Sequence, residues 1–258
     1  MYKYIVTALL GMALVFQLSA QKSFNIFNDE TNLELKVKQI DEFMKRFNFE
    51  INYDGSIPAS SATIDDRLGQ MYTVFHLKEF MNDNQPDSVM TNLCKYVIDN
   101  NLKLRYEDDN WMAQVVCNAV MGKKSQNVSL FMQPEQIRDV LYKWVLIDMD
   151  ADFMQPFNSS PRDSLFISPA DHGISFITLP RIINLNVTDV NTVFKKGWTP
   201  DRLSVFNYLI ASKKLRLTSV SKVVYHWNLG DYSFDVERFE GEDSPNQGWL
   251  ISKITCNQ

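Results

Sequence analysis

Three histidines, three cysteines and a run of alternating aspartates are the residues of this chain whose chemistry could go beyond packing. The histidines, His76, His172 and His226, form no His-x-x-His or His-Glu-x-x-His pair, and no Cys-x-x-Cys occurs, so the spacing that builds a zinc site is missing. No metal site is expected. His226 has the most informative setting, because it falls inside a stretch of period two, on one face with Val224 and Asn228 and opposite Val223, Tyr225 and Trp227. An imidazole beside an amide can serve as acid or base on a small ligand. The plainer alternative is a half-exposed strand histidine satisfied by a cross-strand partner. Asp148, Asp150 and Asp152 begin like a calcium loop, but the sixth and twelfth positions hold Phe153 and Ser159 where glycine and glutamate are needed. An acidic strand end is therefore expected there.

Tyr53 and Asp54 precede Gly55 and read either as a pocket pair or as an aromatic packed on an Asp-Gly turn. No Gly-x-Ser-x-Gly elbow and no glycine-rich phosphate loop is found, and nine glycines leave little material for a cradle of any kind. No cofactor is expected. Cys94 lies among Val89, Leu93 and Val97, and Cys117 lies in an apolar strand, so both read as small buried hydrophobes rather than reactive thiols. With Cys256 the cysteines number three, so at most one disulfide can form.

These residues must be held by elements, and the periodicity names them. Leu33, Val37, Ile40, Met44 and Phe47, widened by Phe43, predict an amphipathic helix over 32–48. A second helix is expected from Thr63 to Met81, burying Leu68, Met71, Tyr72, Phe75 and Phe80. A third starts at Pro86, carries Val89, Leu93, Tyr96 and Val97, and stops at Asn100-Asn101. From Leu102 the period changes to two. Strands are expected at 111–121, 127–133 and 141–149, the first two joined by a turn at Gly122-Lys123-Lys124. Residues 151–161, with Pro156 and Pro161, read as a linker. A short strand at 165–168 and a helical segment from Pro169 follow, and Thr199-Pro200-Asp201 opens a helix with Leu203, Phe206 and Ile210 on its buried face. Strands at 216–228, 232–239 and 249–255 close the chain. The two strand groups answer one another, Val115-Val116 to Val223-Val224, Gly122 to Gly230, and Trp144-Val145-Leu146-Ile147 to Trp249-Leu250-Ile251. Two units, 21–150 and 162–258, are one reading, and a single domain over 21–258 is the other.

Residues 1–20 have the layout of a cleaved export signal. Lys3 gives the positive start, Tyr4 to Phe16 the apolar stretch, and Leu18-Ser19-Ala20 the cleavage site, with the cut before Gln21. Gln21 stands where a lipoprotein signal needs cysteine, so an acyl anchor is not expected. The periplasm or the exterior is the expected compartment, with no membrane anchor after cleavage. Across 258 residues the charge is −5, which disfavours nucleic acid and anionic membranes as partners, because both select for a basic footprint. Lys213, Lys214 and Arg216 make the densest basic run and read as a solvated helix-to-strand junction.

Helices first, then an antiparallel meander ending in Gly248-Trp249-Leu250-Ile251-Ser252-Lys253-Ile254, resemble the nuclear transport factor 2-like superfamily, and the entry through Phe49-Glu50-Ile51-Asn52-Tyr53-Asp54 is similar to its opening. With the export signal, the chain resembles a secreted family of Gram-negative gut anaerobes with this fold. The resemblance implies an α+β fold with helices packed on strongly curved antiparallel sheets, forming a cone, in one or two units. It implies either non-catalytic binding of a small ligand or protein partner in an apolar cone, or an isomerase, dehydratase or hydrolase using acid–base residues inside it. His226 is then the catalytic candidate, and Tyr53, Asp54, Tyr225, His226 and Trp227 are the ligand-binding candidates. A homodimer is compatible with either. Asp87-Ser88-Val89 and Asp163-Ser164-Leu165 are similar to the O-glycosylation acceptor of such bacteria, although unmodified serines at a helix start and in a loop explain the same triplets.

Overall fold

A computed structural model describes residues 40–83, 85–138, 141–154, 180, 200–240 and 246–257. The export signal, the start of the first helix, the linker beyond 154, the elements expected over 165–199, His172 and Ser164 lie outside the described residues. The protein is α+β, and the chain divides into two compact units, Met1–Arg105 with Arg238–Ile254 and Tyr106–Glu237 with Thr255–Gln258.

In the first unit, helix α1 (Ile40–Phe47) buries Ile40, Phe43, Met44 and Phe47, a stripe at steps of three, one and three. The chain leaves α1 through Asn48, whose amide copies a strand ladder: Leu104 N donates to Asn48 Oδ1 at 2.7 Å, and Asn48 Nδ2 donates to Leu104 O at 2.9 Å. Helix α2 (Ile64–Tyr72) starts from a capping box, in which Asp66 N donates to Thr63 Oγ1 at 3.2 Å and Thr63 N donates to Asp66 Oδ2 at 2.8 Å. Those bonds favour the ionised form and hold the Asp66 carboxyl below its ordinary range.

The long helix expected over 63–81 is broken after Tyr72. Ile251 N donates to Val74 O at 2.8 Å and His76 N donates to Ile251 O at 2.9 Å, so Val74–His76 lies as a parallel bridge beside Ile251. β-Branched Thr73 and Val74 give little resistance to leaving the helix, and the distant strand supplies the hydrogen bonds. Helix α3 (Leu77–Phe80) is one turn, and β1 (Met81–Asn82) then pairs with β2 (Gln85–Pro86). Pro86 therefore belongs to this short ribbon and does not open the next helix. Asp87 does, accepting from Met90 N at 2.7 Å, and α4 (Ser88–Asp99) buries Met90, Leu93, Cys94 and Val97 while Val89 is exposed.

The second unit contains strands β3 (Trp111–Met121), β4 (Lys124–Arg138), β5 (Leu141–Ala151), β6 (Leu215–Leu229) and β7 (Tyr232–Phe239, up to Glu237), with helix α5 (Arg202–Ala211). Within this unit the sheet order is β5-β4-β3-β6-β7, and β8 (Gly248–Cys256) belongs to the first unit up to Ile254. β3 pairs antiparallel with both β4 and β6, and Val115 faces Val223 across the central pair. Two hairpins close with two residues each, Gly122-Lys123 and Gly230-Asp231, and both begin on a glycine at positive φ, +62° and +68°. A side chain there would be strained, and that geometry matches the twist of the flanking strands. Register slips between Val116 and Cys117 and between Asn118 and Ala119 mark bulges opposite β6.

Helix α5 begins at Asp201 and lays Leu203, Val205, Phe206 and Leu209 against a core of Cys117, Ala119, Val128, Leu130, Met149, Ala151 and Leu215. Ile210, expected on that face, is exposed, and Leu209 takes its place one residue earlier. Arg202 ties the start of the helix to β5, donating from Nη1 to Asp148 Oδ2 at 3.4 Å and to Met149 O at 3.3 Å.

Candidate functional site

The pleat of the second unit's strands gives them two chemically opposite faces. On one, Trp111 of β3 stands across from Trp227 of β6, their rings stacked with centroids 5.1 Å apart and planes 1° apart. Trp144 meets Trp111 edge-on at 5.2 Å, Phe234 stacks on Trp227 at 5.7 Å, and Tyr225 tilts against both Trp111 and Trp227. Trp111, Tyr225, Trp227 and Phe234 are each 2% exposed or less, so these rings fill the space the face encloses. A buried aromatic side chain removes about 150–250 Å² from water, so the cluster is a large apolar contribution to this unit.

The other face is polar and half-exposed. His226 lies there, as its alternation with Tyr225 and Trp227 requires. Its Nδ1 is 2.7 Å from Asp235 Oδ1 on β7, and its Nε2 is 3.3 Å from Gln114 Oε1 on β3. Gln114 Nε2 donates onward to Ser129 Oγ on β4 at 3.2 Å, so one polar row crosses four strands. A second pair on this face joins Lys222 to Glu237 at 2.6 Å. Both ring nitrogens of His226 are thus engaged by neighbours on the adjacent strands.

The five ligand-binding candidates divide between the two units. Tyr225 and Trp227 are buried on the aromatic face, while His226 points from the opposite one. Tyr53 and Asp54 belong to the first unit. Tyr53 is 45% exposed with the Arg46 guanidinium 5.7 Å from its ring centre, and Asp54 Oδ1 accepts from both N and Oγ of Ser56. Those two bonds hold the Asp54 carboxyl below its ordinary range, and with Gly55 at φ +81° the pair forms a solvated turn.

Two further features escaped the sequence reading. Arg46 sits on the buried stripe of α1, 4% exposed, with Nη2 donating to Trp249 O at 3.1 Å and Nη1 donating to Thr73 O at 3.4 Å. Desolvation lowers its affinity for the proton, opposed by Glu42, whose Oε1 is 3.7 Å from Nε. The only sequence signal was its place three residues after Phe43. Arg46 borders a half-open cleft of about 220 Å³ that also contains Arg238, paired with Glu240 at 2.6 Å, so each cation there already has its own carboxylate. The second feature is a basic corner of the second unit, where Lys123 and Lys124 lie beside Lys213, Lys214 and Arg216.

The remaining chemistry is quiet. Cys94 and Cys117 are buried and free, and burial pushes the Cys94 thiol up to about 12 and raises that of Cys117. Cys256 is exposed and free. Asp148 and Asp150 lie within β5, and Asp148 is spent on Arg202 and on its neighbour Met149 N. Ser88 is the exposed first residue of α4 behind its Asp87 cap. Among the described residues no helix is long and apolar enough to cross a membrane. No family model, curated protein or solved structure matches the chain.

Proposed function

We propose that this is an exported, soluble protein of nuclear transport factor 2-like type that works by non-catalytic binding, and that its occupant is a partner surface rather than a small ligand held inside an apolar cone. The observation that carries this reading is the filled aromatic face: Trp111 and Trp227 stack with Trp144, Tyr225 and Phe234 around them, each in contact with another ring. A small-molecule site needs concave space with a few convergent polar groups. Here the titratable group nearest to that description, His226, lies on the opposite face with both nitrogens occupied. The export part rests on residues 1–20 and expects a mature N-terminus at Gln21 by mass spectrometry of exported protein, with retention of those residues or an added lipid mass refuting it. The binding part is tested with a hydrophobic fluorescent probe such as anilinonaphthalene sulfonate. The native protein should give no saturable one-to-one enhancement, and saturable native binding that Trp227→Ala abolishes would restore the ligand-pocket reading.

One observation favours a second reading. The Asp235–His226 pair, 2.7 Å apart and about one quarter exposed, is the orienting half of an acid–base dyad. In that case Gln114 must release Nε2 before the ring can act. Turnover of an activated ester would then vanish in His226→Ala and rise in Gln114→Ala, and equal background rates in all three proteins would exclude it.

A further inference from the structure

The acidic total of this chain hides a strong segregation of charge. No aspartate or glutamate occurs from Asn110 to Pro134 or from Arg202 to Gly230, although the chain has 31 acidic residues. Those two stretches contain the two central strands and α5, and the fold brings their basic runs together. Met121 pairs with both Lys124 and Leu215, and Val120 pairs with Arg216, so the β3–β4 turn carrying Lys123 and Lys124 lies beside the α5–β6 junction carrying Lys213, Lys214 and Arg216. All five cations are exposed. Among the described residues, the nearest acidic position along the paired strands is Asp152, just past Ala151, the partner of Val128.

Between the cations runs a shallow, open groove of about 500 Å³ floored by Val120, Met121 and Leu209. Apolar residues stand out beside it. Tyr208 is 58% exposed and Ile210 37% exposed, at the end of α5 that faces the junction. Lys214 Nζ donates to the Tyr208 hydroxyl at 3.0 Å, and that bond holds the phenol below its ordinary range. The corner therefore combines a cationic rim with an exposed phenol and aliphatic side chains, all on turns and element ends.

We propose that this corner docks the protein on an anionic lipid bilayer, as a peripheral and reversible contact. Charge complementarity decides the class of occupant, because five cations without an acidic neighbour on their own segments attract anionic headgroups and release counterions. The mixed chemistry decides between a bilayer and an acidic peptide. Tyrosine and aliphatic side chains among lysines suit the headgroup boundary, where an amphipathic ring has one wet and one apolar side. A peptide adding to a sheet needs a free strand edge, and at the corner Val120 and Met121 of β3 are paired on both sides. The surface stands apart from the filled aromatic face, so the failure of either leaves the other untouched.

The test is co-sedimentation of the full chain with phosphatidylcholine vesicles containing about one third phosphatidylglycerol, against vesicles of phosphatidylcholine alone. Binding to the anionic vesicles is expected, weakened by 0.5 M salt. Each cation near such a surface contributes about fivefold in affinity, so K123Q/K124Q and K213Q/K214Q should each lose about 25-fold. The control K78Q/K95Q, at exposed sites of the first unit, should lose nothing, and far-UV circular dichroism should be unchanged in all three. Equal losses from two runs some ninety positions apart in sequence are the signature of one shared surface. The proposal is overturned if both vesicle types bind alike, if neither binds, or if the control loses as much as the corner variants. Displacement by 10 mM inorganic phosphate at constant ionic strength would assign the corner to free phosphate, and tighter binding of polyglutamate than of vesicles would assign it to an acidic protein. Either result also overturns the bilayer.

Discussion

Replacing Trp111 by alanine perturbs the aromatic face at its best-defined point. The indole is 2% exposed, stacked on Trp227 at 5.1 Å, met edge-on by Trp144 at 5.2 Å and by Tyr106 at 5.6 Å, and its Nε1 donates to Tyr106 O at 3.4 Å. Truncating a buried tryptophan costs about 3–5 kcal/mol, because the lost transfer energy adds to the cavity left among neighbours that relax only in part. The interior strand pair that carries Trp111 and Trp227 is held at fixed register, so little collapse is available and the upper half of that range is expected. With a urea m-value of about 2–3 kcal/mol per M, the unfolding midpoint falls by about 1.3–2.5 M. The assay is urea denaturation followed by near-ultraviolet circular dichroism, where buried, immobilised indoles give a signal that unfolding removes. The double-mutant cycle of Trp111→Ala and Trp227→Ala should give a coupling of about 0.5–1.5 kcal/mol for the ring pair. A midpoint within 0.3 M of the parent, or a coupling indistinguishable from zero, would refute the filled face and with it the main support for a binding role without an internal pocket.

Other outcomes follow from the same geometry. Arg46→Ala removes the buried bond to Trp249 O, while Thr73 O keeps Asn246 Nδ2 at 2.8 Å, and it should cost about 1–3 kcal/mol in chemical denaturation, whereas Glu42→Gln, whose side chain is 58% exposed, should cost less than about 1 kcal/mol. Equal costs would mean that the ion pair, not the carbonyl bonds, fixes the arginine. Only Cys256 should react with a thiol reagent at pH 8 in the native protein, and all three cysteines should react after denaturation. Because the Cys94 thiol is raised to about 12 in the fold from an ordinary value near 9, the folded state binds the extra proton. Its stabilising contribution is full below pH 9 and is lost as the pH climbs toward 12. A Cys94→Ala variant should flatten that alkaline decline, and an unchanged slope would place its cause elsewhere. Thr63→Ala removes one half of the capping box and should destabilise α2 by about 1 kcal/mol, while Thr63→Ser should be near neutral.

The elements whose pattern is purely local were legible in the residue order. Alternation bounded by Gly122 and Gly230 marked β3 at 111–121 and β7 at 232–239, because a strand with one apolar face and a glycine turn writes its own period and ends. The stripe of Ile40, Phe43, Met44 and Phe47 marked α1, and the burial of Trp249 agrees with the apolar residues found on both sides of its strand. Asp201 and Thr63 announced helix starts, since a cap is a contact between residues two or three apart.

What failed in the sequence depends on partners far along the chain. Nothing near Thr73 says that the helix must stop there. The reason is the backbone of Ile251, which supplies hydrogen bonds that outcompete another helical turn. Arg46 resembles any solvent-side arginine until the carbonyls of Trp249 and Thr73 turn up beside it, a meeting across 203 positions in one case and 27 in the other. His226 could be assigned to a face by alternation, but only cross-strand register put Asp235 and Gln114 at its two nitrogens. The basic corner shows the same division. The residue order alone determined that two stretches lack acidic residues, and the antiparallel pairing of β3 with β6 decided that their lysines share one surface. Periodicity and capping act over a few residues and can be read directly, whereas register and long-range pairing are settled by the free energy of the whole packed sheet.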